Sequence, residues 1–256
     1  MNEKGGSPDH TLLTDKFLRN RRGVELTDEE RKLLEGSISE VRTIDPRTTI
    51  IEAGTRVNIS TLLIEGMMSR YIDDRKGLRQ LVAVHMPGEF VDLHAYPMRE
   101  LDHSVSTLTG STVAIVPHET LNELLAPRPE LARKLWFSTL IDAAMHRAWL
   151  FRLGRLDALG RVAHFLSETN ARLESVGLSD GQRFILGLTQ ADLAEICGLT
   201  QVHVNRVMRE LREARLCIFR SSLVEIIDRA ALERRGDFDP QYLYLNTPIS
   251  SSGDMQ

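Results

Sequence analysis

Cysteine is nearly absent. Of 256 residues only Cys197 and Cys217 carry a thiol, and both fall late in the chain. Two such residues provide no disulfide framework and no metal-ligand spacing, so each is expected to act as a small buried hydrophobe. Long apolar runs are also missing, which excludes a membrane span. The opening MNEKGGSPDH has no hydrophobic core of a signal peptide, and the expected location is the cytoplasm. Nor is there an excess of positive charge. The formal net charge is −4, which excludes a basic coat and confines any contact with a polyanion to a local patch. From Arg155 to Gly236 there are twelve Arg, no Lys and eleven Asp plus Glu, so placement rather than net charge must supply affinity.

What is present is clearest between Leu188 and Leu216. Thr189 and Asp192 form a capping-box pair at the start of a helix, and Leu193, Ala194, Ile196 and Cys197 give that helix one apolar face. Gly198 ends it, because glycine turns left-handed without a side-chain clash, and Thr200 caps a second helix after a turn of three or four residues. In that second helix Val204, Val207, Met208 and Leu211 fall on one side, while Val202, Asn205, Arg206 and Arg209 fall on the other with Gln201 beside them. Gln, Asn and Arg are the side chains that read base edges. Surface helices of ordinary helical hairpins carry them too, so the next segment matters. Leu216 to Arg220 and Leu223 to Ile227 are β-favouring runs around Ser221 and Ser222, a hairpin signal, and helix-turn-helix plus hairpin is a winged helix.

The stretch TQADLAEICGLTQVHVNRVMREL resembles the DNA-binding motif of the Crp/Fnr family of bacterial transcription regulators. The order of the remaining segments agrees. Thr27 and Glu30 cap a helix in TDEERKLLEGSIS after a weak helical pattern from Thr11 to Val24. From Val41 to Pro117 six to eight short strands punctuated by Gly, Pro and Asp suggest a compact β-roll. Glu130 to about Leu153 is a long helix with two apolar stripes, one through Phe137, Ile141, Ala144, Met145 and Ala148, the other through Leu131, Leu135, Trp136, Leu140 and Ala143. Two apolar sides need two partners, this chain's β-roll and the same helix of a second subunit, and the first stripe is the expected dimer interface. The expected fold is α+β, with segments 1–26 (N-terminal segment), 27–128 (β-roll sensor), 129–153 (dimerisation helix), 154–236 (winged helix) and 237–256 (tail). Gly154 is a plausible hinge. In the tail Phe238, Tyr242 and Tyr244 are candidates for docking, and the Ser-rich end is not.

The resemblance implies a homodimer reading a pseudo-palindromic operator in double-stranded DNA, with RNA polymerase as a partner if it activates, and no enzymatic activity. The implied contacts are Thr200, Gln201, Val202, His203, Asn205, Arg206 and Arg209. Arg206 matches the family's base-reading Arg, whereas Val202 replaces a frequent Glu, so the half-site should differ there. Family members that bind cyclic AMP keep a cassette opening Gly-Glu-Leu and later place Arg beside Ser or Thr. Here the opening reads Pro87, Gly88, Glu89, Phe90, but Asp102 and His103 stand where Arg and Ser align. A carboxylate there repels phosphate. The implied effector site, Gly88, Glu89, Phe90, Asp102 and His103, therefore does not take cyclic AMP in the usual mode, and the effector is unknown. An iron-sulfur cluster is not expected without cysteines before Cys197. Haem ligation by His85, His94, His103 or His118 stays open. A second reading is a cupin-like metalloenzyme using Asp92, His94, Asp102 and His103, and a third is a DNA binder with no ligand at all.

Overall fold

The computed structural model describes residues 12–246. The polar opening and the Ser-rich end lie outside the described residues. The chain enters through a single 3-10 turn, Leu13–Lys16, rather than a helix. Leu18 and Asn20 both have positive φ, 54° and 56°, and two left-handed residues break the helical pattern read from the sequence. Phe17, Leu18, Val24 and Leu26 are nevertheless buried. Helix α1 (Asp28–Glu35) follows, with Glu30 N–H donating to Thr27 Oγ1 at 3.2 Å and Thr27 N–H to the Glu30 carboxylate at 2.7 Å.

Seven strands then build the roll: β1 (Glu40–Ile44), β2 (Thr49–Ile51), β3 (Ile59–Glu65), β4 (Met68–Asp73), β5 (Arg79–His85), β6 (Ser104–Thr107) and β7 (Ser111–Pro117), with one helical turn, α2 (Ala95–Met98), between β5 and β6. They pair antiparallel in two sheets, β1-β7-β3 and β2-β6-β4-β5. Leu63, Met68, Val91, Val105, Val113 and Ile115 form one core of the roll. A second core joins Leu62, Ile64, Phe90, Leu93, Ala114 and Val116 of the roll to α3 (His118–Leu125), to the N-terminal segment and to one face of α4 (Pro129–Arg155).

That face corrects the expected dimer interface. Ile141, Ala144 and Met145 are buried within the chain, Phe137 packs edge-on against Tyr244 with ring centroids 5.4 Å apart, and Ala148 is half-buried. Leu131 and Leu135, placed on the other stripe, are buried as well. The apolar surface left open runs through Trp136 (65 % exposed), Leu140, Ala143 and Leu150 (75 % exposed). These positions are three, four and seven residues apart, the spacing of a coiled-coil seam. Sequence periodicity found both stripes but could not tell which the roll would cover. Gly154 is helical and exposed, so it is no hinge here; the break comes at Leu156, which is extended, and Asp157, which caps α5 (Ala158–Ser175) by accepting from Gly160 N–H at 2.8 Å.

The last unit contains α5, β8 (Arg183–Ile185), α6 (Gln190–Cys197), α7 (Gln201–Glu213), β9 (Cys217–Arg220), β10 (Leu223–Ile226) and α8 (Arg229–Arg235). Its sheet, ordered β8-β10-β9, has one strand more than the sequence suggested. Ser221 and Ser222 make the two-residue turn with φ of 50° and 64°, the backbone of a type I′ hairpin. The tail returns to the N-terminal segment: Phe238 and Leu243 are buried, Arg22 N–H donates to Tyr244 O at 2.8 Å, and Asn246 N–H to Asn20 O at 2.8 Å.

Left-handed backbone disfavours serine by about 1–2 kcal/mol per residue. Replacing Ser221-Ser222 with Asn-Gly is therefore expected to stabilise the wing by on the order of 1 kcal/mol, measured as a rise in the denaturant midpoint at unchanged m-value.

Candidate nucleic-acid interface

The geometry of the two helices follows from their caps. Asp192 N–H donates to Thr189 Oγ1 at 3.2 Å and Thr189 N–H to Asp192 Oδ2 at 2.6 Å, a reciprocal capping box that starts α6. Burial pulls the Asp192 carboxyl upward, but its bonds to Arg47 and Thr189 outweigh that and hold it below the usual carboxylate range. Gly198 is left-handed, φ 59°, and its N–H closes on Ala194 O. Thr200 then caps α7, accepting from His203 N–H at 3.3 Å. These four residues set the angle at which α7 leaves α6.

Val204, Val207 and Leu211 are buried, with Met208 half-buried, so the opposite face of α7 is forced outward. Thr200, Gln201, Val202, His203, Asn205, Arg206 and Arg209 are all exposed, Val202 by 76 %. An unshielded valine on a surface helix gains nothing from water and is suited to an apolar partner. The arginines are only loosely held. Arg206 lies 3.5 Å from Glu210 and Arg209 3.9 Å from Glu213, exposed pairs one helical turn apart that contribute little and give way to a stronger anion. Between α7 and the wing runs a groove of about 230 Å³ lined by Gln190, Asn205, Arg209, Arg212 and Arg220 among others. Sequence reading missed Gln190 and Arg220, which reach the groove from α6 and β9; only the fold brings those elements beside α7.

The implied effector residues are not brought together. Gly88, Glu89 and Phe90 line a cavity of about 50 Å³ with the N-terminal segment, α4 and α5. Asp102 and His103 lie outside that lining: the Asp102 side chain is 81 % exposed and pairs with His103 Nδ1 at 2.7 Å. Glu89 is engaged by Arg172 of α5, Nη2 to Oε2 at 2.6 Å and Nε to Oε1 at 3.1 Å. Arg172 also bonds Glu168 at 3.1 Å and Val84 O at 2.7 Å. Glu168 in turn accepts from Trp149 Nε1 at 3.0 Å and from Tyr242 Oη at 2.5 Å. Burial alone would raise the Glu89 carboxyl, yet Arg172 and His85 drive it well below the ordinary range. His85, buried and facing Arg70, is pushed down to about 4, and His94 by the same causes to about 3. Both are neutral at physiological pH. The metalloenzyme reading finds no support, since among the described residues no group of three or more His, Cys, Asp or Glu is arranged to hold an ion.

Comparison with known proteins agrees with this architecture. Residues 160–235 match the Crp-like helix-turn-helix domain and residues 41–128 the cyclic nucleotide-binding domain. The chain is 29 % identical over 198 residues to a probable transcriptional activator of Rhizobium leguminosarum bv. viciae, covering 75 % of this chain and 80 % of that one. It is 22 % identical over 207 residues to the fumarate and nitrate reduction regulatory protein of Vibrio cholerae, covering 81 % and 82 % respectively. Among solved structures, FixK2 from Bradyrhizobium japonicum superposes with a TM-score of 0.70 at 22 % identity, covering 76 % of this chain and 96 % of that one. With a cyclic nucleotide-binding fold in front, a long helix between, and a capped helix-turn-helix behind, the chain belongs to the Crp/Fnr family of DNA-binding transcription regulators, which are not enzymes.

Proposed function

We propose that this protein is a homodimeric, cytoplasmic, sequence-specific regulator that inserts α7 into the major groove of a pseudo-palindromic operator. The observation that carries this is the exposed row Gln201, Val202, Asn205, Arg206 and Arg209 on a helix fixed from behind by Val204, Val207 and Leu211. Arg206 reads a guanine through a bidentate pair, and Val202 meets an apolar edge such as a thymine methyl. Asn205, Gln201 and His203 contact neighbouring bases or phosphate. Arg209, Arg212 and Arg220 flank the groove beside the wing, where a phosphate strand would pass. Two copies pack through Trp136, Leu140, Ala143 and Leu150, which places two reading helices about one DNA turn apart. If the protein activates transcription, RNA polymerase is a further partner. The β-roll does not use cyclic AMP in the family's usual mode, a reading supported by the small cavity and by the engagement of Glu89.

Selection from random duplex DNA should recover a palindrome whose half-site contains a guanine. Arg206→Ala is expected to lower discrimination at that pair by about 1–3 kcal/mol, and Val202→Glu to move preference at the adjacent pair toward cytosine. Full retention of the wild-type preference by both variants would refute the assignment.

The seam is tested separately. Leu150→Lys buries a charge in any two-fold packing of α4 and is expected to give monomers by sedimentation and to weaken palindrome binding at least tenfold, with the monomer's thermal stability nearly unchanged because Leu150 is exposed in the single chain.

A further inference from the structure

Between Ala143 and Leu150 the open apolar surface of α4 skips one turn of the helix, and the residue that fills the gap is Arg147. Trp136, Leu140, Ala143, Arg147, Leu150 and Gly154 are all exposed and are spaced alternately four and three residues apart, the unbroken repeat of a two-stranded coiled coil. A guanidinium therefore stands at a seam position with apolar residues before and after it. Arg147 makes no hydrogen bond or ion pair among the described residues, and its own helix has no carboxylate to spare. α4 carries two acids: Glu130 is bound by Arg133 at 2.7 Å, and Asp142 by the buried Arg70 of β4. The flanks of the seam beside Arg147 are His146 and Phe151.

In the homodimer the two winged helices follow the C-terminal ends of two α4 helices. Both must face one duplex, so the helices run parallel with the two-fold axis between them. In that arrangement each seam residue meets its own copy. Trp136, Leu140, Ala143 and Leu150 bury apolar surface, but Arg147 meets the partner's Arg147 between the layers of Ala143 and Leu150. Like charges repel there, and each loses water without gaining a partner. A single carboxylate does not resolve this, because one guanidinium fork occupies both of its oxygens. A phosphate-class oxyanion does. It offers oxygens to both sides at once, matches the planar fork of each arginine, and carries about two negative charges.

We propose that the dimer contains a binding site for one phosphate-class dianion, held on the two-fold axis between Arg147 of one subunit and the partner's Arg147, and that this ion lets the seam close tightly. The inference deepens the homodimer proposed above and rests on it. Neither subunit holds the site alone. Because the ion binds the dimer and not the monomer, dimerisation rises with its concentration by mass action, and palindrome binding rises with dimerisation. The site requires no particular pose of the reader on the roll.

The test measures the dimer dissociation constant of the full-length protein by sedimentation, at fixed pH and ionic strength, with low-millimolar inorganic phosphate replacing chloride. The wild type is expected to dimerise about tenfold more tightly in phosphate. Arg147→Leu completes the apolar seam. It is expected to dimerise in chloride as tightly as the wild type does in phosphate and to show no response to the ion. Its monomer should keep wild-type thermal stability, because residue 147 is exposed in the single chain. Arg147→Glu checks the placement: mixed with wild type in chloride, it should form a mixed dimer about tenfold tighter than either homodimer. Glycerol 3-phosphate in a parallel series separates two sources of the same chemistry. A response to it marks a phosphate monoester and a response to the inorganic ion alone an enclosed free ion, and either supports the proposal. Equal wild-type dimerisation in chloride and both phosphates, a phosphate response that survives in Arg147→Leu, or no preference for the mixed dimer would overturn it. If the wild type, Arg147→Leu and the mixture all stay monomeric at the highest concentration measured, the homodimer falls together with it. A wild-type dimer that ignores phosphate but is broken by Leu150→Lys overturns this proposal alone.

Discussion

The buried guanidinium of Arg172 is the point on which the arrangement turns. It bonds two carboxylates and a carbonyl, Glu168 on its own helix and Val84 and Glu89 in and just after β5. Burying charge is costly, and a buried pair contributes little net stability over an apolar alternative. Removing one partner, however, strands the other at about 3–5 kcal/mol. The network therefore specifies position more than it adds stability. Trp149 from α4 and Tyr242 from the tail both donate to Glu168, so the long helix, the reader and the chain's C-terminal segment are all registered against one residue pair on α5.

A second buried guanidinium works at the other end of the reader. Arg152 lies 4.2 Å over the Trp149 ring and gives Nη2 to Ile196 O at 2.9 Å, which satisfies a carbonyl in the last turn of α6. With Arg47 on the capping-box aspartate and Gln80 on the Glu195 carbonyl, α6 is secured at both ends by residues outside the winged helix. A protein of net charge −4 has no diffuse attraction for DNA to rely on. Its local arginines must be presented at a fixed angle, and the rigidity of α6 provides that angle.

The parts of this design legible in the sequence are those written in local chemistry. The Thr189-Asp192 box, Gly198 and the Thr200 cap occupy fixed offsets along the chain, and the outward row of α7 follows from helical period alone. What was not legible depends on long-range choices. Both stripes of α4 are apolar, so which one the roll covers is settled by packing against residues far along the chain, such as Leu62 and Phe90, and Ile141 and Met145 went to the interior rather than to a partner. Asp102 and His103 entered the effector site by alignment to a family pattern, but the bend that carries them before β6 delivers them elsewhere. Arg172 was invisible because nothing local marks an arginine on the buried side of an amphipathic helix as the partner of a glutamate 83 residues earlier.

The pairing of the two chain ends bears on the order in which the molecule is made. Asn20 and Asn246 are bonded across 226 positions, and Arg21 reaches Leu243 O across 222. During synthesis the roll is complete long before Tyr242 and Leu243 emerge, and domains fold as units in that order. The bonds of the tail to Asn20, Arg21 and Arg22 are thus among the last that synthesis allows to form. A newly made roll passes through an interval in which Glu89 lacks Arg172.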